Sequence, residues 1–506
     1  MKRKILVLAT ILFPFLCSIA REDATFQSAV STEVTAGMGD NAPLWFTANR
    51  HGLTTTATSS ALLRASFTRG YSQTKRFTWE YGADMAAAYN FESSILLQQL
   101  YAGIRYGCWQ LTIGSREHPS QGKNARLSSG GLTWSGNARP IPQVRFGIYD
   151  YTTVPFWFNG WVHVKGFLSF GHFTDSHFQQ SFASTTPGND YVLGTLLHEK
   201  SAFLRIANAK HTPLSFEVGL ELDSQFGGDW YRHMADGNTL LFAMPASASD
   251  FVRALLLMSG GDDARVQDQQ NKAGNMLGSW HLSLGWEADE WSARTYYEHF
   301  FEDRSGMLGI AHPTGLDGNR RLFIYPWKDG LWGIETHLPQ NPLIHTLVAE
   351  FVSTRYQSGP IQHERTAAIA EQSSGCDYFY HHTVYQSWHH HGMNIGTPLI
   401  PSPIYNADGD LQQSTNRIRT FHLGLEGQPA TCWSYRLLAT HTTNWGTYYV
   451  PLTHPARQFS AMLEVDWMPR QLNGWTGTVA IATDKSMLIG NNTALQIGIR
   501  KTFSKP

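Results

Sequence analysis

The chain has 506 residues, a formal net charge of -1 and a mean hydropathy of -0.28, so there is no broad basic field and nucleic acid is excluded as a partner. Beyond the first twenty residues no run of about 18 apolar residues occurs, which excludes a transmembrane helix in the mature chain. Cys108, Cys376 and Cys432 are odd in number and widely spaced, so at most one pair can form and no disulfide framework or CxxC metal pattern exists.

Lys2, Arg3 and Lys4 precede an apolar core from Ile5 to Phe15, and Ser18 and Ala20 are small residues at cleavage spacing. This predicts a secretory signal over residues 1–20, cleaved after Ala20, and an exported mature chain, residues 21–506, forming one domain. Cys17 follows Leu16, where lipidation wants a small residue.

Phe77, Trp79, Tyr81, Ala83, Met85 and Ala87 alternate with Thr78, Glu80, Gly82, Asp84 and Ala86, the period of a strand with one apolar face. The segment from Arg116 to Gln143 breaks the pattern. It holds Ser128, Ser129, Gly130, Gly131, Trp134, Ser135, Asn137, Arg139, Pro140 and Pro142. Its prolines predict a stiff loop folded inward. Amide, guanidinium and indole groups in one ordered loop suit a sugar, although a ligand-free constriction loop would have the same composition. No GxSxG nucleophile turn is present.

Alternation resumes at Phe216, Val218, Leu220 and Leu222, then at Trp280, Leu282, Leu284 and Trp286. Between the strands, links alternate in length. Lys210–Pro213, Ala288–Glu290, Leu338–Pro342 and Gly427–Thr431 are short, whereas Gln225–Met276, Glu302–Gly330 and Tyr356–Asn416 are long. Tight turns at one end and long loops at the other are how outer-membrane barrels are built. Within the first long link, Ser247 or Ser249 can cap a helix from Asp250 through Phe251, Leu255 and Met258 to Gly260 and Gly261, expected to pack over the barrel mouth.

Tyr296 to Arg304 forms a cluster at a strand end that includes His299, Glu302 and Asp303. Acid–base work needs such groups, but rim carboxylates more often hydrate or pair with Arg, and sugar contact is the stronger functional reading. His389, His390 and His391 are adjacent, so their side chains diverge, whereas a metal site needs ligands that converge; a polar loop, glycan-facing or merely solvated, is favoured and no metal or cofactor is predicted. Trp433, Tyr435 and Leu437, then Phe459 to Trp467, resume the alternation. In the last strand Leu495, Ile497, Ile499 and Phe503 oppose Gln496, Gly498, Arg500 and Thr502. The fold class is therefore all-β: a transmembrane antiparallel β-barrel of about 18 strands, with long extracellular loops carrying short helical insertions, in the outer membrane of a Gram-negative bacterium.

Several stretches together resemble the capsule assembly Wzi family as it occurs in Bacteroidetes. They are Ala42 to Leu53; Leu127 to Gly130 leading to Ser135 to Gln143; Tyr297 to Asp303 with Asp329-Gly330-Leu331-Trp332-Gly333; and Tyr385 to Trp388 with His391-Gly392 and Ile395 to Leu399. The resemblance spans most of the mature chain. It departs at Ser387-Trp388-His389-His390-His391-Gly392, where Gly-Trp-Ser-Tyr-His-Gly would be expected, and the periplasmic helical bundle of enterobacterial members has no equivalent. The resemblance implies an 18-stranded barrel acting as a lectin, without catalysis, that holds exported polysaccharide at the cell surface.

The expected function is an outer-membrane surface lectin for capsular or exopolysaccharide, not an enzyme. Its partners would be that polysaccharide, outer-membrane lipid and other polysaccharide export components. The candidate carbohydrate-binding residues are Trp134, Asn137, Arg139, His299, Glu302, Asp303, Trp332, Trp388 and His391. A porin or channel for small solutes is the alternative, since a polar lumen suits both.

Overall fold

The computed structural model describes residues 25–154, 158–258, 260–261, 265, 274–302, 307, 325–357, 362–363, 373–374 and 378–505. Residues 1–20, expected to be a signal, Asp303 and Cys376 lie outside them; Cys108 and Cys432 carry free thiols. Eighteen antiparallel strands close into one barrel. The first nine are β1 Phe26–Met38, β2 Ser60–Arg69, β3 Phe77–Tyr89, β4 Ile95–Tyr106, β5 Trp109–Ser115, β6 Gln143–Thr153, β7 Val162–His172, β8 Leu196–Ala207 and β9 Leu214–Phe226. The others are β10 Asn275–Glu287, β11 Ser292–Glu302, β12 Gly330–His337, β13 Thr346–Ser353, β14 Ile418–Ala430, β15 Trp433–Gly446, β16 Pro451–Trp467, β17 Trp475–Ser486 and β18 Asn491–Lys505. β1 pairs with both β2 and β18, so no edge is left with unpaired backbone groups.

The alternation places its apolar set outward. In β18 Leu495, Ile497 and Ile499 are exposed on the outer wall while Gln496 is buried in the lumen. Lys501 breaks this outer face without stranding a charge there: its ammonium reaches the Asn473 carbonyl in the neighbouring turn and lies over the rings of Trp475 and Phe503. Trp109, Trp433, Trp467 and Trp475, all exposed at the turn end, form the girdle expected at a membrane interface.

The links 39–59, 116–142, 173–195, 227–274, 303–329 and 354–417 all join strand ends at the other end of the barrel, where 90–94, 447–450 and 487–490 are short. Three of the long links, 39–59, 116–142 and part of 354–417, turn into the barrel. Segment 116–135 crosses the lumen, bonding in turn to the walls around it: Arg116 to Glu80 on β3, Lys123 to Glu298 on β11 at 2.9 Å, Asn124 to Glu335 on β12 at 2.8 Å and Ser128 to Glu350 on β13 at 2.6 Å. At Gly424 on β14 the Leu127 carbonyl approaches so closely that a Cβ would collide with it. On the remaining side Leu44 N–H donates to Asp484 on β17 at 2.9 Å, and Arg50 pairs with Glu33 on β1 at 2.6 Å.

Over this plug the segment 378–417 forms a second layer. Leu132, Ile141, Trp388, Ile395 and Ile400 pack with Leu277, Phe300, Leu331 and Val352 of the inner wall into an apolar core inside the upper lumen. Each such side chain fully removed from water contributes roughly 1.5–3 kcal/mol. The helix in link 227–274 runs Ala248–Leu256 with Ser247 and Asp250 forming a capping box, and it ends at Leu257 with φ 53°, short of Gly260. It does not lie over the mouth. Phe251 packs on Phe170 and Phe226, ring centroids 5.2 and 5.1 Å away, against the outer face of the wall.

Candidate functional site

Where 116–142 leaves the lumen it meets the tip of the hairpin 389–394. His389 and His390 pair with Asn394 and Met393, and the turn is made by His391 and Gly392 in left-handed conformations, φ 51° and 71°. Glycine suits the second position twice over, since a Cβ there would also strike the Phe178 ring. This turn pushes the His391 ring out beside Arg139 and Glu92. Nδ1 of His391 lies 2.9 Å from Glu92, the Arg139 guanidinium lies 3.3 Å from His391 Nε2 and 3.5 Å from Glu92, and all three groups reach solvent.

Beneath them Asp175 is buried and accepts the His391 backbone N–H at 3.0 Å. Burial opposes its charge, but the facing histidines and that N–H hold its carboxyl below the ordinary range. Burial likewise opposes the charge on Glu92, and the hydrogen bond and charge from His391, helped by Arg139, keep its carboxyl lower than usual. Burial depresses His389 and takes His390 down to about 3, so both are neutral at pH 7. His390 then donates through Nδ1 to the Arg139 carbonyl at 2.8 Å and accepts the Thr174 N–H at 3.3 Å on Nε2. His390 and His391 thus serve different partners, while His389 Nδ1 lies 3.7 Å from the Asp175 carboxylate. At the surface the cluster presents a guanidinium, an imidazole and a carboxylate together, a set able to hydrogen-bond hydroxyl and carboxylate groups of a ligand.

The other predicted residues are placed elsewhere. Asn137 and Trp388 are fully buried ties between the two layers: Asn137 Nδ2 donates to the Asn394 carbonyl at 2.9 Å and Trp388 Nε1 to the Thr133 carbonyl at 2.9 Å. Trp134 is half-buried against the same core. Glu302 points inward and accepts the Tyr380 backbone N–H. His299 points outward and is buried under Trp327, rings 4.1 Å apart. Trp332 also faces outward, stacked on Tyr297 and tilted against Phe351, and belongs to the lipid-facing wall. Strand parity explains both: on β11 and β12 the lumen takes Glu298 and Glu335, so residues an odd number away point out.

A second concavity of about 520 Å³ lies on the turn side of the plug, lined by Glu33, Arg50, Arg64, Arg126, Arg436 and Glu464. Its charges largely pair with one another, as in Arg436–Glu464 at 2.8 Å. It faces away from the loop end.

No family model and no curated protein matches this sequence. Among solved structures the chain is similar to Wzi of Escherichia coli, described as an outer membrane protein involved in group 1 capsule assembly and a carbohydrate-binding β-barrel, with 13% identity, a TM-score of 0.54, and coverage of 93% of this chain and 83% of that one. The chain has the fold of an outer-membrane β-barrel. OccK5 of Pseudomonas aeruginosa and OccAB4 of Acinetobacter baumannii give TM-scores of 0.47 and 0.46 at 8% and 7% identity, covering 96% of this chain and 99% of each of theirs.

Arg139 and His391, far apart in this barrel's sequence, are the two predicted residues brought together at its mouth. Their partners Glu92 and Asp175 lay outside every motif. Glu92 sits in a tight link between two strands, where a carboxylate reads as ordinary solvation; only the fold brings it to the histidine. The clasp of Lys123, Glu298 and Glu350 was hidden by the same alternation that revealed the strands, because an inward carboxylate looks alike whether it meets water or a plug.

Proposed function

We propose that this barrel is a non-enzymatic surface glycan binder that retains capsular or exopolysaccharide, with the polymer held by the loops over the plug. The observation that carries this reading is the Arg139–His391–Glu92 cluster, mostly buried but reaching solvent with side-chain exposures of 15%, 13% and 32%, fixed on ordered loops at the loop end of a lumen already crossed by its own chain. A planar guanidinium suits bidentate contact with sugar carboxylates, and the imidazole and carboxylate suit hydroxyls. The fold shared with a carbohydrate-binding barrel is consistent with it. Outer-membrane lipid and polysaccharide export components are the further partners in this reading.

Purified barrel, immobilised and exposed to the producer's own surface polysaccharide, tests it. Wild-type protein binds, and the double variant Arg139→Ala/His391→Ala binds at least about tenfold more weakly, as expected for losing one or two charge-assisted hydrogen bonds, while its thermal unfolding stays close to wild type. Equal binding by both proteins, or none by either, contradicts the proposal.

A further inference from the structure

On the outer wall an apolar groove of about 820 Å³ runs from β9 round to β16, lined by outward side chains including Phe216, Leu284, Ile334, Leu423 and Phe459. A uniformly convex barrel would have no such hollow. At its upper end Phe351 and Phe421 lie with ring centroids 5.0 Å apart, and immediately above them three arginines share the outer face. Arg419 is one pleat above Phe421. Arg355 and Arg417 stand above that, with Arg417 Nε donating to the Arg355 carbonyl at 3.0 Å. Arg355 lies over the Trp445 ring at 4.5 Å and Arg417 over Tyr448 at 6.0 Å.

Their height can be read along β15. From the girdle residue Trp433, the register partner of Arg419 is Thr443, which at about 3.4 Å per residue and a tilt of about 40° stands roughly 26 Å higher. That matches the apolar band of about 25 Å typical of such barrels, so the arginines stand at the headgroup level of the outer leaflet. None of the three has a carboxylate partner among the described residues, and Arg419 Nε is buried without any hydrogen bond. A structural ion-pair belt would have supplied carboxylates. Guanidinium groups held by aromatic rings but without a carboxylate, at the top of an apolar groove on the lipid-facing wall, ask instead for an amphiphile with an anionic head.

We propose that this wall carries a specific binding site for a phosphorylated glycolipid of the outer leaflet, with acyl chains in the groove and phosphate on Arg355, Arg417 and Arg419. The site is distinct from the Arg139–His391 cluster and does not depend on it. Full-chain barrel in detergent is incubated with bis-phosphorylated lipid A, with the same lipid dephosphorylated, with inorganic phosphate, or with soluble anionic polysaccharide. Retained ligand is then counted by native mass spectrometry. Wild type retains the phosphorylated lipid, and the variant Arg355→Gln/Arg417→Gln/Arg419→Gln retains it at least about tenfold less well, with an unchanged shift between folded and heated forms on a gel. Phe421→Ala, which shortens the groove and leaves the arginines in place, weakens retention of the same lipid. Equal retention by wild type and the triple variant, equal retention of the dephosphorylated lipid, retention of phosphate alone, or a loss confined to polysaccharide would each overturn the proposal.

Discussion

Glu350 shows how much of this molecule rests on single inward carboxylates. It accepts Ser128 Oγ at 2.6 Å, Ser129 N–H at 2.7 Å and Tyr296 OH at 2.6 Å, all buried. Glu350→Ala therefore leaves several donors without partners and should cost at least about 3 kcal/mol, seen as a lower unfolding temperature together with new protease cleavage inside 116–142. Lys123 and Glu298 are buried almost completely, with side-chain exposures of 2% and 0%. Lys123→Met abandons the Glu298 carboxylate in the lumen and should destabilise by about 3–5 kcal/mol. Adding Glu298→Gln should recover part of that loss, and strict additivity in the double-mutant cycle would refute a coupled pair. In the sequence Glu298 stands among residues that look catalytic. Its neighbours in space explain why it holds a loop instead.

At the scale of elements, the strands were legible and the inserts were not. Alternation assigns each residue of a strand to one face, and the turn lengths assign its ends, so the eighteen strands and their outward rows follow from local pattern. It says nothing about what the inner face meets. Trp388 and Asn137 looked like ligand contacts because polar and aromatic side chains in a loop read as exposed; they are buried because a second loop lies on them. Trp332 shows the converse, a loop-edge indole that parity turns towards lipid. The insert 378–417 also carries a built-in pH dependence. Burial lowers His381 and His382 to about 4 and His390 to about 3. A histidine depressed by folding binds its proton more readily when unfolded, so its stabilising effect is complete above the unfolded value near 6.5 and is lost as pH falls. Between pH 7 and pH 5 His390 alone should withdraw about 2 kcal/mol. Hydrogen exchange, corrected for intrinsic rate, should show 378–413 losing protection at pH 5 while β14 to β18 keep theirs. His390→Asn should blunt the effect, and uniform protection across both regions would refute it.

As a whole, the molecule is a barrel whose lumen is occupied by its own chain and whose polar surface groups converge at the loop end. In planar bilayers it should be nearly silent, and removal of residues 117–138 should open steps of conductance; steady conductance by the intact chain would favour a solute pore, to which the chamber below the plug would then belong. The central claim concerns the surface rather than the lumen. It is tested most directly in a strain lacking this protein, complemented with wild-type or Arg139→Ala/His391→Ala barrel, by measuring cell-attached and shed polysaccharide. The predicted result is normal total polysaccharide with a shift from attached to shed in the deletion and in the double variant, reversed by wild type; attachment that is the same in all three strains would contradict it.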